Sequence, residues 1–150
     1  MSFDQLGVVD RTQLLNRREV HVRSLHARRG VKRARMRTDD WEACVVTLVS
    51  ACDNAVAAAL VARGLAIAQR PNMRERFERH LALLLLASDT RLVRALWDAA
   101  DCHGVPPDGA ISTAWLVEAA AIVIEHMLAL ASGREGPITE TGEIRSAGWN

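Results

Sequence analysis

The sequence predicts an all-α fold: a four- to five-helix bundle with a basic N-terminal arm or helix. Three observations carry that reading. Apolar residues recur at three- and four-residue spacing in Met73, Phe77, Leu81 and Leu84, and again in Leu92, Val93, Leu96, Trp97 and Ala100. Two long Ala/Leu/Val segments, near 41–63 and 112–132, each run up to a glycine. No run alternates apolar with polar residues as a half-buried strand would.

Residues 1–10 read as a loose lead. Residues 11–36 can form a helix, with Leu14, Leu15, Val20, Val22, Leu25 and Val31 scattered among charges. Its apolar stripe is thin and Gly30 interrupts it, so the helix is expected to order only against the body or a polyanion. Thr38 or Asp39 is the expected cap of a second helix beginning near Trp41, with Asp39, Asp40 and Glu42 favouring its first turn. Gly64 is its stop. Thr47, Ser50 and Asn54 leave a narrow polar stripe on an otherwise buried rod.

After Pro71, Asn72 and Glu75 form a capping pair for a third helix. Ser88 or Asp89 starts a fourth, and the Gly104–Gly109 connector leads to a fifth from about Ser112 to Ser132. Glu118 and Glu125, seven residues apart, mark one exposed edge of that last helix. The organisation is therefore a basic arm or helix (1–37), a helical bundle (38–133) and a flexible C-terminal tail (134–150), with Trp149 the one aromatic of the tail. One domain suits 150 residues of which 49% are hydrophobic.

Charge is distributed unevenly. Ten of the 19 Lys and Arg residues lie between Arg11 and Arg37, against three carboxylates in residues 1–37, giving +7 there and −6 over residues 38–150. A basic segment on an acidic body can bind RNA or DNA, or an acidic protein surface, including the body itself. The candidate nucleic-acid contacts are Arg17, Arg18, Arg23, Arg28, Arg29, Lys32, Arg33, Arg35 and Arg37, with Arg76 from the third helix. The absence of Tyr and the presence of only two Phe argue against a platform that stacks single-stranded bases.

Cys44, Cys52 and Cys102 form no paired metal or redox motif and read as core thiols of a reducing compartment. The longest uninterrupted apolar stretch, Ala55–Ala62, is far shorter than the ~20 residues of a membrane span. A cytoplasmic protein with no membrane contact is expected. Neither a nucleotide-binding glycine loop nor a metal-binding motif occurs, so no cofactor and no metal are expected. The apolar faces left on helices two and five predict a homo-oligomer.

One cluster could carry chemistry: Met73-Arg74-Glu75-Arg76-Phe77-Glu78-Arg79-His80. Arginine can hold a phosphate and histidine can move a proton near neutral pH. Together they could cleave RNA by activating a 2′-hydroxyl without a metal. Arg76 and His80, four apart, share a helix face. The segment Trp41–Gly64, with the Arg74-x5-His80 spacing, resembles HEPN domains over about residues 40–130. These are small all-helical domains, often dimeric, found in prokaryotic toxins, antiphage systems and nucleotidyltransferase partners. The resemblance implies Arg74 and His80 as catalytic, with Asp53 as the acidic residue of an earlier helix. Two functional expectations follow. One is a nucleic-acid-associated, self-associating protein of toxin or antiphage type, with metal-independent endoribonuclease activity as its catalytic variant. The other is a non-enzymatic assembly or phage structural protein whose basic arm contacts neighbouring subunits.

Overall fold

The computed structural model describes residues 3–65, 70–101 and 112–133, with side chains from residue 14 in the first segment and residue 72 in the second. Five α-helices follow in order: α1 (Phe3–Arg35), α2 (Trp41–Ala62), α3 (Arg70–Arg76), α4 (Ala87–Asp101) and α5 (Thr113–Ala131). Among the described residues there is no strand. The expected tail at 134–150, Cys102 and the Gly104–Gly109 connector lie outside the described residues.

α1 is helical from Phe3, so the loose lead expected over residues 1–10 is absent from residue 3 onward. Its inner face is narrow but fully used: Ala27 and Ala34 are completely buried and Val31 nearly so. Gly30 does not interrupt this stripe. It is a point of close approach between α1 and α2, because a Cβ at Gly30 would lie 2.7 Å from the Ala51 Cβ. A glycine costs helix stability, here offset by close packing. Gly30→Val is expected to lower stability by about 1–3 kcal/mol through overpacking. Urea unfolding checks this, and an unchanged midpoint would mean that the helices do not cross here.

Asp40, not Thr38 or Asp39, caps α2: its side chain accepts a hydrogen bond from the Ala43 N–H at 3.1 Å. The preceding turn uses Thr38 differently. Its carbonyl accepts a 2.6 Å hydrogen bond from the Thr113 hydroxyl, tying the α1–α2 turn to the start of α5. α2 forms the centre of the bundle, with thirteen buried residues. It ends at Ala62 with Arg63 as its C-cap, and Gly64 follows with a φ of +80° that suits glycine. α2 and α5 are each long and apolar enough to cross a membrane, a property that the uninterrupted stretch Ala55–Ala62 understates. In this fold 72% of the apolar window of α2 is buried inside the bundle.

α3 begins at Arg70, which puts Asn72 and Glu75 inside the helix, so they are not its cap. The helix then widens into a π turn (Phe77–Leu81) and tightens into a 3-10 turn (Ala82–Leu84). Within the π turn Phe77 and Leu81 are both buried in the core with no exposure. α4 starts at Ala87, just before the expected Ser88 or Asp89, and buries Val93, Leu96 and Trp97. α5 opens on Ser112, whose hydroxyl accepts from the Trp115 N–H at 3.0 Å, and is followed by Gly133 at φ +70°. It packs on α2 and also touches α1 and α4.

Candidate nucleic-acid interface

α1 holds its cations on two different faces. Those nearest the body are spent internally. Arg28 grips Glu125 through Nε and Nη2 at 3.1 and 3.0 Å. Arg35 grips Glu118 in the same forked manner at 2.9 and 2.8 Å. Arg23 bonds Glu19 at 3.0 Å and reaches Asn54 of α2 at 3.5 Å. The hydrogen bonds from Arg35 hold the Glu118 carboxyl below its ordinary range, and those that Arg28 donates to Glu125 raise the Arg28 guanidinium. Both glutamates are about half exposed, so these bridges orient α1 more than they stabilise it.

The cations on the far side are unspent. Arg18, Arg29, Lys32 and Arg33 project away from the buried Ala27–Val31–Ala34 stripe, are exposed, and form no ion pair among the described residues. Arg37 continues the charge past the helix end, and Arg17 stands on the α5 side. Arg29 and Arg33 are four apart and Arg29 and Lys32 three apart, spacings at which like charges repel by a few tenths of a kcal/mol on an isolated helix. The C-terminal position of Lys32 and Arg33 recovers some of that through the helix dipole. A row of phosphates would relieve the remainder.

α1, with 33 residues, is roughly 50 Å long against about 33 Å for α2, so its N-terminal turns extend past the body. Where it leaves the ends of α2 and α5, an open groove of about 940 Å³ forms, lined by Arg17, His21, Arg28 and Arg63 beside Glu125 and Ser132. Burial lowers the Arg63 guanidinium from its ordinary value. The outward face of α1 is not purely basic, since Leu14, Leu15, Val22 and Leu25 are exposed between the cations.

Two of the three expected catalytic residues, Asp53 and Arg74, are arranged around a tryptophan rather than a cleft. The Trp97 indole N–H donates to Asp53 Oδ1 at 2.7 Å. Arg74 lies over the same ring, its guanidinium carbon 5.3 Å from the centroid, and donates to the Trp97 carbonyl at 3.2 Å and to Asp101 at 3.3 Å. Phe77 meets Trp97 edge-on at 5.3 Å. Arg74 and Asp53 thus meet through Trp97. His80 is half-buried in the π turn and forms no hydrogen bond or ion pair among the described residues. Arg76 sits on α3, which packs against α2, and its Nη1 is buried without an acceptor, so it does not join the α1 stripe. Arg79 is held by Glu75 at 3.0 Å, and Arg94 of α4 grips Glu78 at 2.6 Å, which lowers the Glu78 carboxyl.

The sequence reading missed a second polar pair. His126 of α5 places Nδ1 2.8 Å from Oδ2 of Asp89, the carboxylate being almost fully buried in the first turn of α4. Cys44 and Cys52 are buried thiols, both pushed up by desolvation and Cys52 the more strongly, which disfavours the thiolate. Among the described residues no three His, Cys, Asp or Glu side chains gather into a metal site. No family model, curated protein or solved structure matches this chain.

Proposed function

We propose that this is a nucleic-acid-associated helical protein, acting in the cytoplasm, that engages RNA or DNA along the outward face of α1. The observation that carries this reading is the set Arg18, Arg29, Lys32 and Arg33, exposed without carboxylate partners among the described residues while Arg28 and Arg35 are neutralised internally. Cations placed this way neutralise phosphates and release counterions, a driving force that needs no base recognition.

Binding without cleavage fits the side chains better than catalysis does. Arg74 is occupied by Trp97 and Asp101, and Arg79 by Glu75. If the HEPN resemblance reflects kinship, the chain is a non-catalytic member of toxin or antiphage type. A second reading draws on Leu14, Leu15, Val22 and Leu25, exposed among the same cations. That mixture also suits an acidic amphipathic helix of a protein partner in an assembly.

Deleting residues 1–37 would remove Ala27, Val31 and Ala34 from the core, so substitution isolates the charge where truncation would not. The test is fluorescence anisotropy with labelled single-stranded RNA and duplex DNA of mixed sequence. Replacing Arg18, Arg29, Lys32 and Arg33 together by Gln is expected to weaken binding at least roughly tenfold with helicity unchanged. Equal affinity would exclude this face. Wild type incubated with RNA and EDTA is expected to leave it intact, whereas cleavage that His80→Ala abolishes would support the endoribonuclease instead.

A further inference from the structure

We propose that the solvent face of α5, centred on Trp115 and Ile122, is the surface through which two copies of this chain associate. Trp115 is 57% exposed and Ile122 59% exposed. They are seven residues apart on one face of a helix whose other large apolar residues are buried. Between them lies Ala119, partly exposed and small enough to let a second helix approach closely. An exposed tryptophan on an apolar ridge is the kind of side chain that anchors protein interfaces.

The occupant is identified by charge. Among the described residues of α5, the carboxylates bordering this face are Glu118 and Glu125, and each is tied to an arginine of its own chain, Arg35 and Arg28. The border is therefore locally neutral, and a second copy presenting the same border meets no like-charge repulsion. The outward face of α1 is the opposite case: its exposed leucines stand among Arg18, Arg29, Lys32 and Arg33, so two such faces repel each other. The two apolar surfaces are thus sorted, α1 toward anions and α5 toward itself.

The spacing is also self-complementary. An antiparallel twofold passing near Ala119 sets Trp115 of each copy against Ile122 of the other, with the small residue at the axis. His126 lies on the α4 side of this face and is braced from beneath by Asp89, which holds its ring in place under the seam. Because α1 lies beside α5, such a dimer brings two α1 helices to flank one axis. This inference does not depend on nucleic-acid binding.

The test is sedimentation equilibrium of the full chain from low to high micromolar concentration, with circular dichroism as the check on fold. Wild type is expected to dimerise. Ile122→Glu, a substitution on the surface, is expected to weaken association roughly 30-fold or more while helicity is kept, and Trp115→Ala to weaken it similarly. Val46→Glu, at an equally exposed apolar residue of α2, is the control and should leave association unchanged. A wild type that stays monomeric throughout overturns the proposal. So does a dimer that Ile122→Glu leaves intact. Unfolding of Ile122→Glu at markedly lower urea than wild type, compared at a concentration low enough that wild type is itself monomeric, would assign the face to another segment of the same chain, and also overturns it.

Discussion

Trp97→Ala is expected to destabilise the protein by about 3–5 kcal/mol, the range for emptying a large aromatic from a packed core. The residue is 2% exposed and joins three other elements to its own helix, α4. Its ring takes the edge of Phe77 from the π turn and the guanidinium of Arg74 from α3, and its indole N–H is held by Asp53 of α2. Trp97→Phe separates the contributions: the ring stack persists while Asp53 loses a donor, and the expected loss falls to about 1–3 kcal/mol. Urea denaturation followed by circular dichroism measures both. A loss below 1 kcal/mol for Trp97→Ala would mean that the cluster is not packed as described. Against an ordinary domain stability of about 5–15 kcal/mol, this one change removes a large share.

The second large effect is expected at His126. His126→Leu withdraws the imidazole from Asp89 and leaves a carboxylate that is 3% exposed without that donor. Breaking a buried pair from one side costs about 3–5 kcal/mol, because the abandoned charge pays the desolvation. Replacing both partners removes the charge as well, so Asp89→Leu combined with His126→Leu is expected to be more stable than His126→Leu alone. A double variant that is simply the sum of the two single losses would show that the pair is not energetically coupled.

The helices were legible where pattern and punctuation agree. Met73, Phe77 and Leu81 keep the helical period and are buried, and Ser112 and Gly133 bound α5 as their side-chain chemistry dictates. Three things were less legible. The π turn at Phe77–Leu81 leaves no separate mark in a sequence whose apolar spacing suits an ordinary helix. Gly30 reads as a helix breaker until the residue opposite it is known to be Ala51. Asp89 and His126 are 37 residues apart, and nothing local announces their contact. One signal was present and unused: Arg28 and Arg35 are seven apart, as are Glu118 and Glu125. Two antiparallel helices pair such residues at matching turns, and here they do.

That pairing also explains why a count of basic residues misjudges the interface. Of the nine cations in 17–37, Arg23, Arg28 and Arg35 are engaged inside the molecule, and Arg18, Arg29, Lys32 and Arg33 define the candidate face. His80 and Arg74, linked in sequence by a motif spacing, are separated in chemistry because Arg74 is drawn to Trp97 and Asp101.

The most direct test of the central claim is the salt dependence of nucleic-acid binding. Log affinity for duplex DNA falls against log salt with a slope of about −0.9 for each phosphate contact, and about −0.7 for a single strand. Wild type should bind at about 50 mM salt, and the Arg18, Arg29, Lys32 and Arg33 to Gln variant should reduce the slope by roughly 3. Arg28→Gln with Arg35→Gln, which removes only cations already paired with Glu125 and Glu118, should leave the slope unchanged. An identical slope in wild type and the four-site variant, or no binding by wild type at the lowest salt, would contradict the account.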